Sequence, residues 1–396
     1  MSAPAAAGRE PLEVAVVGIS TDVTCGVRDH ATGLSLALAD EGVSCATHWL
    51  NRSATTLGGA RAEVGEWTAA LAAELERSRP DAVLLHYSVF SFAHRGLPLF
   101  TPPVLAALRH AGAPLVTVLH EGAYNWGGRG PREAAWALTQ RAALIELFRA
   151  CAAVVVTSER RADWFGSRRW LPSRPIVVAP VFSNLPAPPA GVIPAAATVG
   201  LFGYAHEGSE PALILDALAL VRERGAPARL VLLGAPGADS PAGERWRDAA
   251  AERGLEQALS FSGRLPTEEL SAALGACEVL LFADRPGPSS RKTTLAAALA
   301  SGRPLLALDG PRSWSALVEA DGALMVAQRA PEIAAALERM FADPAQREAL
   351  AKRGMSFYEQ AMSVQSSART VAQLLARVRD GAQAPRRARH SPRVAS

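Results

Sequence analysis

The chain has 396 residues, of which 49% are hydrophobic and 20% are charged. This composition indicates a globular protein with two or three domains and excludes an intrinsically disordered chain. The formal net charge of +3 is too small to indicate nucleic-acid binding. No apolar run approaches the roughly 18 residues that a membrane-spanning helix needs, so no transmembrane segment is expected.

The first half of the chain alternates short apolar strands with amphipathic helices. Strands are predicted at residues 13–19, 43–49, 82–87, 115–120, 153–158 and 176–179, and helices at 29–41, 63–78, 103–111 and 132–150. Continuous apolar strands separated by helices indicate a parallel sheet that is covered on both faces. Residues 10–183 are therefore predicted to form one doubly wound domain after a disordered N-terminus at 1–9.

A proline-rich linker at residues 184–196 leads into a second domain of the same class at 197–353. Its strands are predicted at 198–202, 229–233, 259–261, 279–282 and 305–308. A long helical segment at 354–380 follows the second sheet and is predicted to cross back to the first domain. Residues 381–396 are predicted to be a disordered basic tail, with an anchor to an anionic surface as the alternative.

The segment 284–308 carries the clearest chemical signal. It passes from an apolar strand through a loop rich in Pro, Gly and Ser into an Ala/Leu helix. Around the predicted helix start lie Ser289 and Ser290, both predicted N-caps, then Arg291, Lys292, Thr293 and Thr294. Cations and hydroxyls at a helix N-terminus favour a diphosphate group. The alternative is a capped surface helix with solvated charges.

Short motifs of the second domain follow one another in a familiar order. They are Val199–Gly203, Leu230–Gly234, Phe261–Leu265, Thr267–Leu270, Ala276–Leu280 and Ala298–Pro304. In this order and spacing they resemble the retaining nucleotide-sugar glycosyltransferases of family 4, also called glycosyltransferase group 1. The whole chain resembles the GT-B fold, an α/β architecture in which two doubly wound, Rossmann-like domains face each other across a cleft.

The sequence departs from this family at the donor site. The resemblance implies two glutamates across the diphosphate loop, but the matching positions hold Ser289 and Ala297. The usual Arg and Lys after the first strand of this domain are also missing, and Tyr204 and Ser209 stand there instead. Arg291 and Lys292 are expected to supply the positive charge in their place. The alternative is a degenerate, inactive domain.

The resemblance also assigns the other donor contacts. Gly203 ends the first motif of the domain and is expected to lie beside the donor. Arg264 and Leu265 follow the third strand, where the backbone of the family meets the nucleobase. Glu268 or Glu269 either meets the ribose or belongs to the first turn of a helix, where acidic residues favour the dipole.

Two places in the first domain resemble the family's sugar and acceptor contacts. The polar loop 20–30 includes Gly26, which allows close backbone approach, and Arg28, which is expected to pair with a phosphate. Asp29 is interpreted as the N-cap of the next helix. His120 and Glu121 end a predicted strand in front of a glycine-rich loop, and they are the predicted catalytic residues on this side.

Further candidates lie close to this strand end. His86 ends the preceding strand and is a weaker candidate than His120. The aromatic and glycine-rich segments 87–97 and 124–130 occupy positions where an acceptor is expected to dock, although core packing explains some of these aromatic residues.

The activity implied is transfer of a sugar from a UDP- or GDP-linked donor, with retention, to a small metabolite or a cell-envelope saccharide. Fixed positive charge at Arg291 and Lys292 would stabilise the leaving diphosphate, with domain closure excluding water. We expect no cofactor beyond the donor and no metal, since no Asp-x-Asp motif and no Cys/His motif of zinc type is present. The widely spaced cysteines fit a reducing cytoplasm.

Two other functions stay open on the sequence. One is a nucleotide-sugar epimerase of the same fold, whose acid and base carboxylates cannot be located. The other is a non-catalytic partner subunit that has lost the donor-site glutamates. The oligomeric state does not follow from the sequence.

Overall fold

The computed structural model describes residues 11–21, 25–123, 130–205 and 210–388. The chain divides into two compact units, of which unit 1 comprises Met1–Pro180 with Val364–Ser396 and unit 2 comprises Val181–Ser363. The segments predicted as a disordered N-terminus at 1–9 and as part of an acceptor loop at 124–129 lie outside the described residues. No described helix is both long and apolar enough to cross a membrane.

Unit 1 is built on a parallel sheet. In chain order its strands are β1 (Leu12–Ser20), β2 (Val43–Asn51), β3 (Ala82–Ser88), β4 (Leu115–Glu121), β5 (Ala153–Val156) and β6 (Ile176–Val178). They form a six-stranded sheet in the order β2-β1-β3-β4-β5-β6. All residues of β3 are buried, because helices cover both faces of a doubly wound sheet.

Five helices of unit 1 connect these strands. They are α1 (Gly26–Asp40), α2 (Leu57–Ser78), α3 (Thr101–Leu108), α4 (Pro131–Ala150) and α5 (Glu159–Gly166). The predicted helices correspond to α1 to α4, whereas α5 is mostly charged and polar and buries Phe165, so its sequence shows no apolar period. Ser158 caps α5 by accepting a hydrogen bond from the Arg161 amide.

Unit 2 repeats this architecture. Its strands are β7 (Ala195–Phe202), β8 (Arg229–Leu233), β9 (Leu259–Gly263), β10 (Cys277–Phe282), β11 (Leu305–Leu308) and β12 (Leu324–Val326). They form a six-stranded parallel sheet in the order β12-β11-β10-β7-β8-β9. Its helices are α6 (Pro211–Glu223), α7 (Pro241–Ala251), α8 (Thr267–Gly275), α9 (Thr293–Ala300), α10 (Ser315–Glu319), α11 (Ala330–Ala342) and α12 (Pro344–Phe357). The predicted α/β class of two doubly wound sheets is confirmed.

The final helix, α13 (Val364–Ala388), belongs to unit 1, where it packs against α1. Its buried stripe includes Ala368, Val371 and Leu375, spaced as one face of a helix. The continuous helix predicted at 354–380 is wrong in detail, because the extended backbone of Ser363 separates α12 and a short π-helical turn from α13. The helix also continues past residue 380, where the tail was predicted to begin, because adding residues to a packed helix requires no new nucleus.

Candidate active site

The loop between β10 and α9 in unit 2 ends at a helix start without a side-chain cap. Lys292 occupies the N-cap position of α9, so the predicted caps Ser289 and Ser290 are wrong. These serines belong to the preceding turn, in which the Lys292 amide donates to the Ser289 carbonyl at 3.1 Å and the Val181 amide donates to the Ser290 carbonyl at 2.9 Å. The first-turn amides of α9 are therefore available for an anion.

Lys292 forms an ion pair with Asp284, the second residue of this loop. Its Nζ lies 2.9 Å from Oδ2 of Asp284, whose side chain is 6% exposed. Arg291 is exposed beside it. The pair fixes the lysine stem next to the start of α9, so that a cation is held at the carboxyl edge of the sheet. Sequence analysis did not assign a role to Asp284.

The segment that follows β11 holds the loop between β10 and α9 in place through backbone hydrogen bonds. The Arg312 amide donates to the Pro286 carbonyl at 2.7 Å, and the Trp314 amide donates to the Pro288 carbonyl at 2.8 Å. Gly287 has a φ of +90°, and a Cβ there would meet the Ser313 hydroxyl and its backbone amide. The loop is therefore set in place before any ligand binds.

Gly203 meets the first turn of α9. It follows β7 with a φ of +85°, and a Cβ on it would lie 2.8 Å from Cγ2 of Thr294. The structure thus brings together two parts of the predicted donor site that are far apart in the sequence. The next residue, Tyr204, is fully buried and its hydroxyl accepts a hydrogen bond from the Gly237 amide at 2.7 Å, so its role is to hold the loop after β8.

The remaining donor-site predictions fall on two elements. Arg264 is exposed and Leu265 is half-buried directly after β9. Glu268 and Glu269 lie in the first turn of α8, as the alternative interpretation expected. Ala297, where the family has a glutamate, is 3% exposed inside α9.

In unit 1, the polar loop after β1 leads into α1, which begins at Gly26 with Cys25 at its N-cap. Asp29 was interpreted as the cap, but it lies in the first turn, where a carboxylate still favours the helix dipole. Arg28 is exposed, and its Nη1 donates to Oδ1 of Asn51 at 3.1 Å. Arg28 is thereby held at the carboxyl edge of the sheet.

Three histidines meet at this edge. His30 comes from α1, His86 from β3 and His120 from β4, and one ligand nitrogen of each lies within 4.8 Å of the others. Nδ1 of His86 is 3.1 Å from Nε2 of His120, and the ring centroids of His30 and His120 are 5.0 Å apart. The structure therefore makes one cluster of the predicted His120, the weaker candidate His86 and a third histidine that sequence analysis did not single out.

The cluster is neutral at pH 7. Burial lowers the pKa of His30 to about 4. Burial, with His30 beside it, holds the pKa of His86 well below its usual range. Burial and the neighbouring His30, His86 and Arg161 do the same to the pKa of His120. Each ring therefore carries one N–H and one lone pair instead of a charge.

Arg161, on α5, holds the end of β4. Its guanidinium donates to the backbone carbonyls of Leu119 and His120, and Nη2 lies 2.8 Å from Oε2 of Glu121. The side chain of Arg161 is 16% exposed. One residue thus orients both predicted catalytic residues of unit 1, and sequence analysis missed it because α5 was not predicted.

The aromatic segment 87–97 divides between core and surface. Tyr87 and Phe92 are buried, and the Tyr87 hydroxyl lies 3.0 Å from that of Thr101. Phe90 is 57% exposed. Core packing thus accounts for part of the segment predicted to dock an acceptor.

Comparisons with known proteins agree with this architecture. Residues 196–343 match a family model described as glycosyl transferases group 1, and a comparison with curated proteins finds no match. Similar solved structures include a sucrose-phosphate synthase from Thermosynechococcus elongatus, with 16% identity over 93% of this chain and 99% of that chain and a TM-score of 0.66. A glycosyltransferase from Rickettsia africae has 11% identity over 93% of this chain and 99% of that chain, with a TM-score of 0.70.

A third similar structure is that of the Anabaena protein HepE in complex with UDP and glucose. It has 14% identity over 92% of this chain and 100% of that chain, with a TM-score of 0.63. The solved structures share the GT-B fold, and the family model covers most of unit 2. Together, the comparisons show the GT-B fold for the chain and, over residues 196–343, a domain of the glycosyl transferases group 1 kind.

Proposed function

We propose that the chain transfers a sugar, with retention of the anomeric configuration, from a UDP- or GDP-linked donor to an acceptor. The observation that carries the proposal is the braced loop between β10 and α9, which presents Arg291, Lys292 and the amides of a helix start at the carboxyl edge of the sheet. The loop lies inside the segment that matches the glycosyltransferase family. HepE, solved with UDP and glucose, supports the choice of donor.

The chemistry of transfer explains why these groups suit the leaving diphosphate. As the glycosidic bond breaks, negative charge grows on the diphosphate, and fixed cations and amides stabilise it without having to reorganise. In this proposal that charge comes from Arg291, from the first turn of α9 and from Lys292, whose positive charge is shared with Asp284. We expect donor binding to need no Mg²⁺. Because Ser289 and Ala297 occupy the positions of the family's paired glutamates, the donor does not make those two contacts in this chain.

Unit 1 contributes the acceptor side of the reaction in this proposal. His120 and Glu121 lie at the end of β4 and are oriented by Arg161. Because the pKa of His120 is well below its usual range, this residue acts as a neutral hydrogen-bonding group towards the sugar and not as an imidazolium. Glu121 then receives or orients the acceptor.

The first test is calorimetric titration of chelator-treated protein with UDP and with GDP. We expect one of them to bind, and subsequent addition of Mg²⁺ to leave its affinity unchanged. Replacing Lys292 or Arg291 by Ala should weaken binding roughly 10- to 100-fold, because each contributes a charge-assisted contact to the diphosphate. Binding of neither nucleotide, or a strict requirement for Mg²⁺, would contradict the proposal.

Matched controls come from the same unit. Lys352 is the chain's other lysine and pairs with Glu348 on the surface, while Arg224, which follows α6, pairs with Glu338. Their alanine variants remove the same kinds of charge outside the loop and should bind nucleotide normally. Once a donor is known, small hydroxylated metabolites and saccharides can be screened as acceptors, and proton NMR of the first product reports whether the anomeric configuration is retained.

A further inference from the structure

The three clustered histidines of unit 1 are carried by rigid elements. His86 lies inside β3, in register with Gly18 of β1, and His120 lies near the end of the adjacent strand β4. His30 lies in the first turns of α1. The positions of all three imidazoles are therefore set by the fold and not by a loop, which is the condition for a preorganised site.

The spacing of the nitrogens fits ligands of one metal ion. Two nitrogens that each lie about 2.0 to 2.1 Å from a tetrahedral ion are about 3.3 Å apart. Nδ1 of His86 and Nε2 of His120 are already 3.1 Å apart, and no ligand nitrogen of the cluster is more than 4.8 Å from another. Side-chain rotations that shorten the longest of these nitrogen–nitrogen distances by roughly 1.5 Å would therefore place three nitrogens around one ion.

The chemistry of the donor set selects the kind of ion. The group consists of imidazoles alone, without a carboxylate or a thiolate. Imidazole suits Zn²⁺, Co²⁺, Ni²⁺ and Cu²⁺, whereas Mg²⁺ and Ca²⁺ prefer oxygen ligands. The guanidinium of Arg161 acts electrostatically on His120, and its own charge is offset by Glu121 at 2.8 Å.

The interior of the cluster holds an unsatisfied nitrogen. His86 is fully buried, and its Nε2 has no hydrogen-bond partner among the described residues. A neutral imidazole that offers the lone pair of Nδ1 to an ion carries its proton on Nε2, so the spacing of the ligand nitrogens, and not this atom, carries the inference. His30 and His120 are half-buried as residues, whereas both ring nitrogens of His30 are buried.

We propose that His30, His86 and His120 bind one divalent transition-metal ion, with Zn²⁺ as the first candidate, and leave its fourth coordination position open to water or an acceptor group. The sequence predicted no metal site, because the three ligands come from separate elements and show no motif. A metal ion here would occupy the His120 nitrogen that the proposed function directs towards the sugar, so the two proposals share this residue. Nucleotide binding by the loop between β10 and α9 involves none of the three histidines, so the nucleotide and metal titrations test the two proposals separately.

The experiment uses the full-length, untagged protein after treatment with a chelator and its removal. Calorimetric titration with ZnCl₂ should show one equivalent of bound metal. Titration with CoCl₂ should produce the visible absorption of tetrahedral Co²⁺, which one equivalent of Zn²⁺ should abolish. MgCl₂ should produce no heat of binding.

Variants locate the site. His30→Asn and His86→Gln should each weaken zinc binding by about 100-fold or more, since even outer-shell changes at metal sites cost 10- to 100-fold. His110→Ala, on the exposed turn after α3, is the matched control and should bind zinc normally. Circular dichroism confirms that each variant is folded.

A measurement on the wild type avoids dependence on the folding of variants. Long-range ¹H–¹⁵N NMR spectra of the histidine rings should show shifts at three residues when one equivalent of Zn²⁺ is added. Absence of zinc binding by the wild type, shifts confined to other histidines, or unchanged binding in His30→Asn would each overturn the proposal and leave a purely hydrogen-bonded cluster.

Discussion

Lys292 Nζ lies 2.9 Å from Oδ2 of Asp284, so a buried carboxylate near the start of the loop between β10 and α9 is paired with a half-exposed ammonium group at its end. This pair closes the loop across the entry to the helix. It also fixes the position of the Lys292 ammonium group relative to a diphosphate that binds at the start of α9. The role of Lys292 therefore depends on a residue that never touches the ligand in our proposal.

The first prediction concerns this pair. Asp284→Asn should weaken nucleotide binding, because the lysine loses the carboxylate that positions it. Lys292→Met should weaken binding more and should lower the free energy of unfolding by about 1 to 3 kcal/mol, since a buried carboxylate loses its charged partner. In the double variant the two effects on affinity should not add, which calorimetry can measure as a double-mutant cycle. Additive effects would show that Asp284 does not act through Lys292.

The second prediction concerns Gly203. Gly203→Ala should reduce nucleotide affinity, because the new methyl group would press on Thr294 at 2.8 Å and displace the first turn of α9. Gly191→Ala is the control, since Gly191 has almost the same φ, +86°, but nothing within 4 Å of a Cβ. Both variants should lose roughly 1 kcal/mol of stability through the left-handed backbone. Only Gly203→Ala should bind nucleotide poorly.

The third prediction concerns Arg161 as a positioning residue. Arg161→Ala should lower kcat by roughly 100-fold with a smaller change in KM for the donor, because a misplacement of about 1 Å at reacting groups has that effect. Arg161→Lys should rescue part of the loss, since an ammonium group can still reach one carbonyl or Glu121. Arg160→Ala, an exposed neighbour on α5, should behave as the wild type. Equal activity of Arg161→Ala and Arg160→Ala would reject the assignment.

The fourth prediction concerns pH. In metal-free protein the native pKa values of His30, His86 and His120 lie below the value of about 6.5 expected in the unfolded chain. Between pH 6.5 and about 4 the unfolded state therefore binds more protons, and the free energy of unfolding falls as the pH is lowered. The slope reaches about 1.4 kcal/mol per pH unit for each histidine that stays neutral.

Urea unfolding with a chelator, from pH 7.5 down to pH 5, measures this slope. His30→Asn should flatten the pH dependence, while His110→Ala should leave it unchanged. A wild-type curve parallel to that of His30→Asn would contradict the prediction. Well above pH 6.5 none of the three histidines contributes, because both states are then unprotonated.

The sheets were predictable because their signal is local. Each apolar strand between helices, such as β3 or β10, is buried on both faces and carries its pattern within a few residues. The helix α5 is mostly charged and polar and buries Phe165, so it shows no apolar period and Arg161 could not be placed. Asp284, in contrast, begins the segment that the sequence already singled out, and the search for a partner to Lys292 could have found it.

The histidine cluster was beyond sequence reasoning for a topological reason. His86 and His120 meet because β3 and β4 are neighbours, and His30 joins them because β1 lies on the other side of β3. The strand order therefore has to be known before the three residues can be associated. The predicted caps Ser289 and Ser290 failed for a local reason, since a turn precedes the helix and shifts its start to Thr293.

The placement of α13 has a consequence for protein synthesis. Unit 2 is complete at Ser363, whereas unit 1 still lacks the helix that packs on α1 and anchors to the Pro180 carbonyl through Ser367. On the ribosome, the unit that is translated second is therefore the first whose sequence is complete. The N-terminal unit cannot complete its packing, and the apolar face of α1 stays uncovered, until α13 leaves the ribosome.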